Sequence, residues 1–405
     1  MNIRFTYLCL SPLLFCMATA LKSGDALRDD KPNSFRTQNT QPGPWGIIEY
    51  SRLVLEPSDH YIKLSTDLED PSSETVWAIL SDSPEGVCRI LADAGFETDK
   101  VASLTSSDQM VQNPATGWFE ITPGEKIILE MTSEQRSKLY PQLQPQKPEN
   151  PFYQPFALPP GGIREITTTP TGLSERTIGL IEQLTYSKSR AKRFSDIRLI
   201  FSETESYEEK VRILKVIGRE PDLSARLIVN VQSDLPSLEK YWGAGGRNRE
   251  SLPMLRSVLA AEGVDRLDIA HLLPPTPRKL IHTYPTPWGY GINTDMPDCF
   301  WTAFSFFSDD PPDRHLDFTT HVFEERYESA LPPFQFGDLI LISDAETGEW
   351  IHACNLIADE LVFTKNGRSM GRAWIISTLP EVVDSYFNTE KVRVSLHRLK
   401  PEFLR

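Results

Sequence analysis

Between Gly337 and Thr378 the chain runs as four short apolar segments, "GDLILIS", "WIHACNLIA", "LVFTKNG" and "AWIIST". Each is of strand length and bounded by Gly, Asp or Asn, which predicts strands. "ADELVFTKNG" follows the second segment and turns back, so the two form a hairpin. A helix-like "PEVVDSYF" and a last strand, "VRVSLHRL", close the chain. The C-terminal part is therefore expected to be an antiparallel sheet with helices against it.

The residues before this sheet read differently. At 405 residues the chain is too long for one typical core, so two or three domains are expected. Residues 44–143 read as a small α+β domain: a strand ("WGIIEYSRLVLE"), a helix ("PEGVCRILADAGF"), two short strands joined by a Pro-Gly turn ("GWFEITPGEKIILEMT") and a capped helix ("SEQRSKLYPQL"). Residues 144–172 are rich in Pro and Gln, which rules out a continuous helix or a central strand, and read as a linker. Residues 173–283 carry apolar positions at helical spacing, for example in "SYEEKVRILKVIG" and "SLPMLRSVLAAEG", and read as a mostly helical region. His271 and His282 fall there and read as structural. Residues 284–405 form the last domain. The overall class is α+β.

The N-terminus reads as an export signal. Arg4 precedes an apolar run, "FTYLCLSPLLFCMA", and "ATA" at Ala18–Ala20 fits a cleavage site, giving a signal peptide over 1–20. Residues 21–43 are polar and read as a disordered linker. The expected product is exported, periplasmic or secreted, with no membrane span after signal removal. It would keep three cysteines, Cys88, Cys299 and Cys354, too few and too odd a set for a disulfide framework. Acidic residues outnumber basic ones by 56 to 42, for a net charge of -14, which argues against a nucleic-acid partner.

One constellation in the last domain carries chemistry. In "PDCFWTAFSFF", Asp298 is a plausible N-cap that puts Cys299 in the first turn of a helix. There the helix dipole and free N–H groups favour a thiolate and can hold an oxyanion. His352, on a strand, is stiffly placed as a general base must be. On the return strand Thr364 and Asn366 share one face and Lys365 points the other way. Either Thr364 or Asn366 can fix the imidazole tautomer, Asn366 by its chemistry and Thr364 by hairpin register. His352 and Cys354, with His315 and His321, offer zinc-type donors, but no spacing among them fits a finger or zincin pattern. No metal or cofactor is expected.

The order of "PTPWGYG", "DCFWTAF", "FGDLILI" and "HACNLIADELVFTKNG" resembles the NlpC-type cell-wall cysteine peptidases of the papain-like superfamily. The resemblance covers roughly residues 284 to 380. It implies a papain-like domain with Cys299 as nucleophile, His352 as base and Thr364 or Asn366 as orienter. It also implies an exported cysteine hydrolase cleaving an amide or peptide bond, with a cell-wall peptide as substrate. Three departures stand out. Phe300 and Trp301 replace the family's small pair after the cysteine, a polar stretch is inserted before "FGDLILI", and the third residue is not His. They motivate a competing expectation, a catalytically inactive papain-like scaffold in an exported binding protein. No family is recognised for residues 40–280.

Overall fold

The structure is a computed structural model that describes residues 37–59, 62, 75–143, 152, 155–188, 191–230, 232–285, 297–308, 320–367, 371–386 and 392–403. The signal segment, most of the polar linker, the Trp-Gly loop at 286–296 and His315 lie outside the described residues. Among those described, no helix is long and apolar enough to cross a membrane.

The C-terminal strands form one six-stranded sheet in the order Tyr327–Ser329, Val392–Leu399, Leu339–Asp344, Trp350–Ala358, Leu361–Lys365 and Trp374–Thr378. Every neighbouring pair is antiparallel, and the expected hairpin is present, with Asn355 opposite Phe363. The central segments are buried on both faces, which is why they read as unbroken apolar runs rather than as clean alternation.

One face is covered by the helix Cys299–Phe304. Ala303 packs with Leu339, Leu341 and Ala353, and the Asn355 amide donates to the Ala303 carbonyl at 3.1 Å. Further along, Phe306 meets Phe363, and the Trp374 indole donates to Thr302 at 3.0 Å. The helix Leu379–Tyr386 follows the last of the consecutive strands, and its Tyr386 ring lies against His352.

The edge strand Trp374–Thr378 does not end in solvent. Two carboxylates from the strand Glu220–Ile228 accept its backbone N–H groups: Glu220 from Ala373 at 2.6 Å and Asp222 from Ile376 at 2.9 Å. Covering an exposed ladder in this way removes a template for unwanted strand pairing. Asp222 also meets His282 Nδ1 at 2.5 Å, which gives that histidine the structural place expected of it.

Three findings revise the expected organisation before the sheet. First, the strand Glu220–Ile228 sits inside the stretch expected to be mostly helical, and it is the centre of a four-stranded sheet with Ile48–Leu55 and Arg266–Asp268 on either side. The sign was legible: Leu223, Ala225 and Leu227 alternate and are buried, while Arg226 is exposed. A hairpin, Tyr186–Lys188 with Ala191–Phe194, also interrupts the helices there.

Second, "EKIILE" is a helix, Glu125–Glu130, not a strand. A short apolar run does not distinguish the two by period. Third, the Pro-rich stretch is no break in the core. Its Phe156–Leu158 pairs with Ala191–Phe194, and Leu158, Ile163 and Ile166 join one hydrophobic cluster that runs from Ile62 to Ile217. Arg136, fully buried there, donates to the carbonyls of Met131 and Ile128 and pairs with Asp196, which also accepts from the Tyr140 hydroxyl at 2.7 Å.

Candidate functional site

Asp298 caps the cysteine helix, its carboxylate accepting the Trp301 N–H at 2.8 Å. Cys299 is thus the first residue of the helix, as the dipeptide predicts. The helix is short, however, and its N-terminus faces the sheet rather than solvent: Cys299 is only 5% exposed. Burial, reinforced by the neighbouring Asp298 carboxylate, pushes the thiol up to about 12. The backbone N–H groups of Ala353 and Phe300 and the Lys365 ammonium pull the other way and do not prevail. At neutral pH the sulfur is a thiol.

His352 is fully buried, and its Nε2 is hydrogen-bonded to Thr364 Oγ1 at 2.8 Å. Of the two orienter candidates, the structure brings Thr364 to the imidazole. Asn366 goes elsewhere, its amide donating to Glu220 at 3.3 Å. The other ring nitrogen of His352, Nδ1, has no hydrogen-bond partner among the described residues. With the Tyr386 ring lying over it at 4.6 Å, burial drives the imidazole down to about 3, so it is neutral.

The thiol and the imidazole approach the same strand from its two sides. Trp350 stands on the helix face, against Phe300. The strand then shifts register: Ile342 pairs with His352 while Ser343 pairs with Trp350, so Ile351 is the extra residue of a bulge. Beyond it Ala353 and Asn355 return to the helix face, and His352 and Cys354 turn to the other. No hydrogen bond joins Cys299 and His352 among the described residues, although Cys299 sits beside the residue next to His352.

Lys365, which by alternation points away from Thr364, is a cation whose field reaches Cys299. That alternation is correct, and it is the reason Lys365 shares the helix face. Its fully buried amine donates to the Gly367 carbonyl at 2.7 Å and lies 5.8 Å from the Trp374 ring. Burial brings it down to about 7, against the pull of Glu220, Cys299 and Asp298.

Cys88, Cys299 and Cys354 are all free thiols. Among the described residues no group of three or more His, Cys, Asp or Glu side chains is placed to hold a metal ion.

Phe300 and Trp301 serve packing. Phe300 meets Trp350, and Trp301 is buried beside Trp374. An open cleft lies instead at the far end of the cysteine helix, about 1130 Å³ in volume and lined by Ala303, Phe304, Asn355 and three arginines. Comparison with known proteins gives no match: no family model, no curated protein and no solved structure matches this chain.

Proposed function

We propose that residues 284–405 form a papain-like scaffold without hydrolytic activity, within an exported binding protein. The observation that carries this reading is the burial of both expected catalytic side chains, Cys299 at 5% exposure and His352 at none. A nucleophile needs access to a carbonyl, and a base needs to reach the proton it takes. Here the thiol is held neutral, and the imidazole is held neutral and bonded to Thr364. The bulky Phe300 and Trp301 fill the space where the family that the sequence resembles has small residues. Export rests on the Met1–Ala20 segment, and N-terminal sequencing of the protein recovered from its producing cells tests it.

A second reading has its own support. The Asp298 cap, the first-turn cysteine and the Thr364-bound imidazole are the parts of a cysteine hydrolase acting on an amide or peptide bond, with a cell-wall peptide as substrate. It requires His352 to turn its free Nδ1 toward Cys299. One experiment separates the two: wild type and Cys299→Ala are compared on peptidoglycan fragments. Equal, background-level release of fragments supports the scaffold. Release that depends on Cys299 refutes it.

A further inference from the structure

We infer that the cleft at the C-terminal end of the cysteine helix is a binding site for a small organic anion that also carries a hydrogen-bond donor. The inference deepens the binding-protein reading and rests on it. Two independent observations carry it.

The first is a set of guanidinium groups without carboxylate partners. Arg247 is only partly exposed and stacks over Phe307, with 4.2 Å from its guanidinium carbon to the ring centre. Its Nε donates to the Ala244 carbonyl at 3.0 Å, and no acidic side chain pairs with it among the described residues. The carboxylate whose field reaches it, Asp338, is already held by Arg398 at 2.8 and 2.7 Å. Stacking on an aromatic ring fixes the plane of the guanidinium and leaves its outer N–H groups aimed outward, a geometry suited to a carboxylate or a phosphate. Arg249 and Arg326 line the same cleft and are likewise without an ion-pair partner among the described residues, and Arg326 lies 5.8 Å from the Phe403 ring. In a chain with a net charge of -14, three arginines around one cleft without an ion-pair partner among the described residues are a local excess of positive charge. Glu250 and Glu402 are also in the lining and temper it.

The second observation is at the wall of the cleft. Asn355 is 2% exposed and lines it. Its amide N–H groups are committed to the carbonyls of Ala303 at 3.1 Å and Gly337 at 3.5 Å, which fixes which end of the side chain is oxygen. That oxygen, Oδ1, is buried and has no donor among the described residues. A buried acceptor left unmade is destabilising, so natural structures seldom keep one without a use. An N–H or O–H on a ligand satisfies it. Donors without acceptors and an acceptor without a donor, in one cleft, define the two ends of the ligand. The flanking Phe304 and Tyr327 give its body an apolar wall.

The test uses the full chain and three probes, inorganic phosphate, succinate and glycine, titrated calorimetrically at constant ionic strength against a sodium chloride control. Saturable heat with phosphate alone assigns a phosphate ester as the ligand class. Saturable heat with succinate or glycine assigns a carboxylate, and glycine ahead of succinate assigns the donor to Asn355. Arg247→Met is expected to weaken the binding about tenfold, and the exposed Arg326→Met several-fold. Arg176→Met, on an exposed arginine outside the cleft, is expected to change nothing. The inference is overturned if none of the probes binds above the chloride control, or if wild type, Arg247→Met and Arg326→Met bind alike. Should Arg247→Met fold poorly, Arg326→Met decides. Failure here leaves Cys299 silent in the hydrolysis assay, whereas Cys299-dependent hydrolysis refutes the scaffold reading and leaves the anion titration standing.

Discussion

His352 Nε2 and Thr364 Oγ1 are 2.8 Å apart across the central hairpin, and this contact, not one with Cys299, is the hydrogen bond the imidazole makes. It ties a fully buried ring to the return strand. It also leaves Nδ1 in the core, under the Tyr386 ring, without a hydrogen-bond partner among the described residues.

The first prediction concerns that bond. Thr364→Val removes the hydroxyl and keeps the shape, leaving both ring nitrogens unpaired. A loss of about 1–3 kcal/mol in denaturant unfolding is expected. Thr364→Ser, which keeps the hydroxyl, is expected to lose less. Equal losses for the two variants would show that the methyl packing, not the hydrogen bond, is what matters.

Cys299 is expected to resist alkylation. Burial pushes its thiol up to about 12, so the reactive thiolate is scarce at neutral pH. Iodoacetamide at pH 7 is expected to modify the half-exposed Cys88 first, with Cys299 and Cys354 reacting only after unfolding. Peptide mapping by mass spectrometry reads the order. Rapid labelling of Cys299 in the folded protein would contradict the sealed site.

The cap separates charge from hydrogen bonding. Asp298→Ala loses the bond to the Trp301 N–H and is expected to cost about 1 kcal/mol. Asp298→Asn keeps a capping oxygen and is expected to cost less, yet it removes the carboxylate that helps raise the thiol. Both variants are therefore expected to shift Cys299 toward easier ionisation, measured as alkylation rate against pH. Only the alanine variant is expected to show a substantially lowered unfolding midpoint.

Acid sensitivity follows from His352. Its ordinary value of 6.5 falls to about 3 in the folded chain because burial penalises the charged ring. Between those values the unfolded chain binds a proton that the folded chain does not. Stability from this group is therefore full above 6.5 and is lost as pH falls toward 3, by about 1.4 kcal/mol per pH unit. His397, brought down to about 4 by burial, acts in the same direction. Asp196, pushed up to about 6 by burial, acts in the opposite one. Comparing wild type with His352→Gln cancels both. The variant is expected to lose about one proton's worth of slope between pH 6 and pH 4, and an unchanged slope would refute the buried-neutral assignment.

By itself the sequence determined the local features of the C-terminal region. The strand runs, the Asp298 cap, the hairpin that brings Thr364 back to His352 and the turn of Lys365 to the face opposite Thr364 are all consequences of spacing within a few residues. The strand Glu220–Ile228 was equally legible from its alternation, but its helical neighbours masked it. Tertiary structure decided the rest. The sequence carries no mark of the extra residue at Ile351, and one residue is enough to send His352 to the opposite face from Trp350, because side chains on a strand alternate strictly. Which face receives the cysteine helix, and therefore whether Cys299 meets an imidazole or the N–H of Ala353 and the amine of Lys365, is set by packing between segments far apart in the chain. The three cleft arginines come together in the same way. Arg247 and Arg249 come from one stretch and Arg326 from another, and only the fold gathers the two around the cleft beside Asn355.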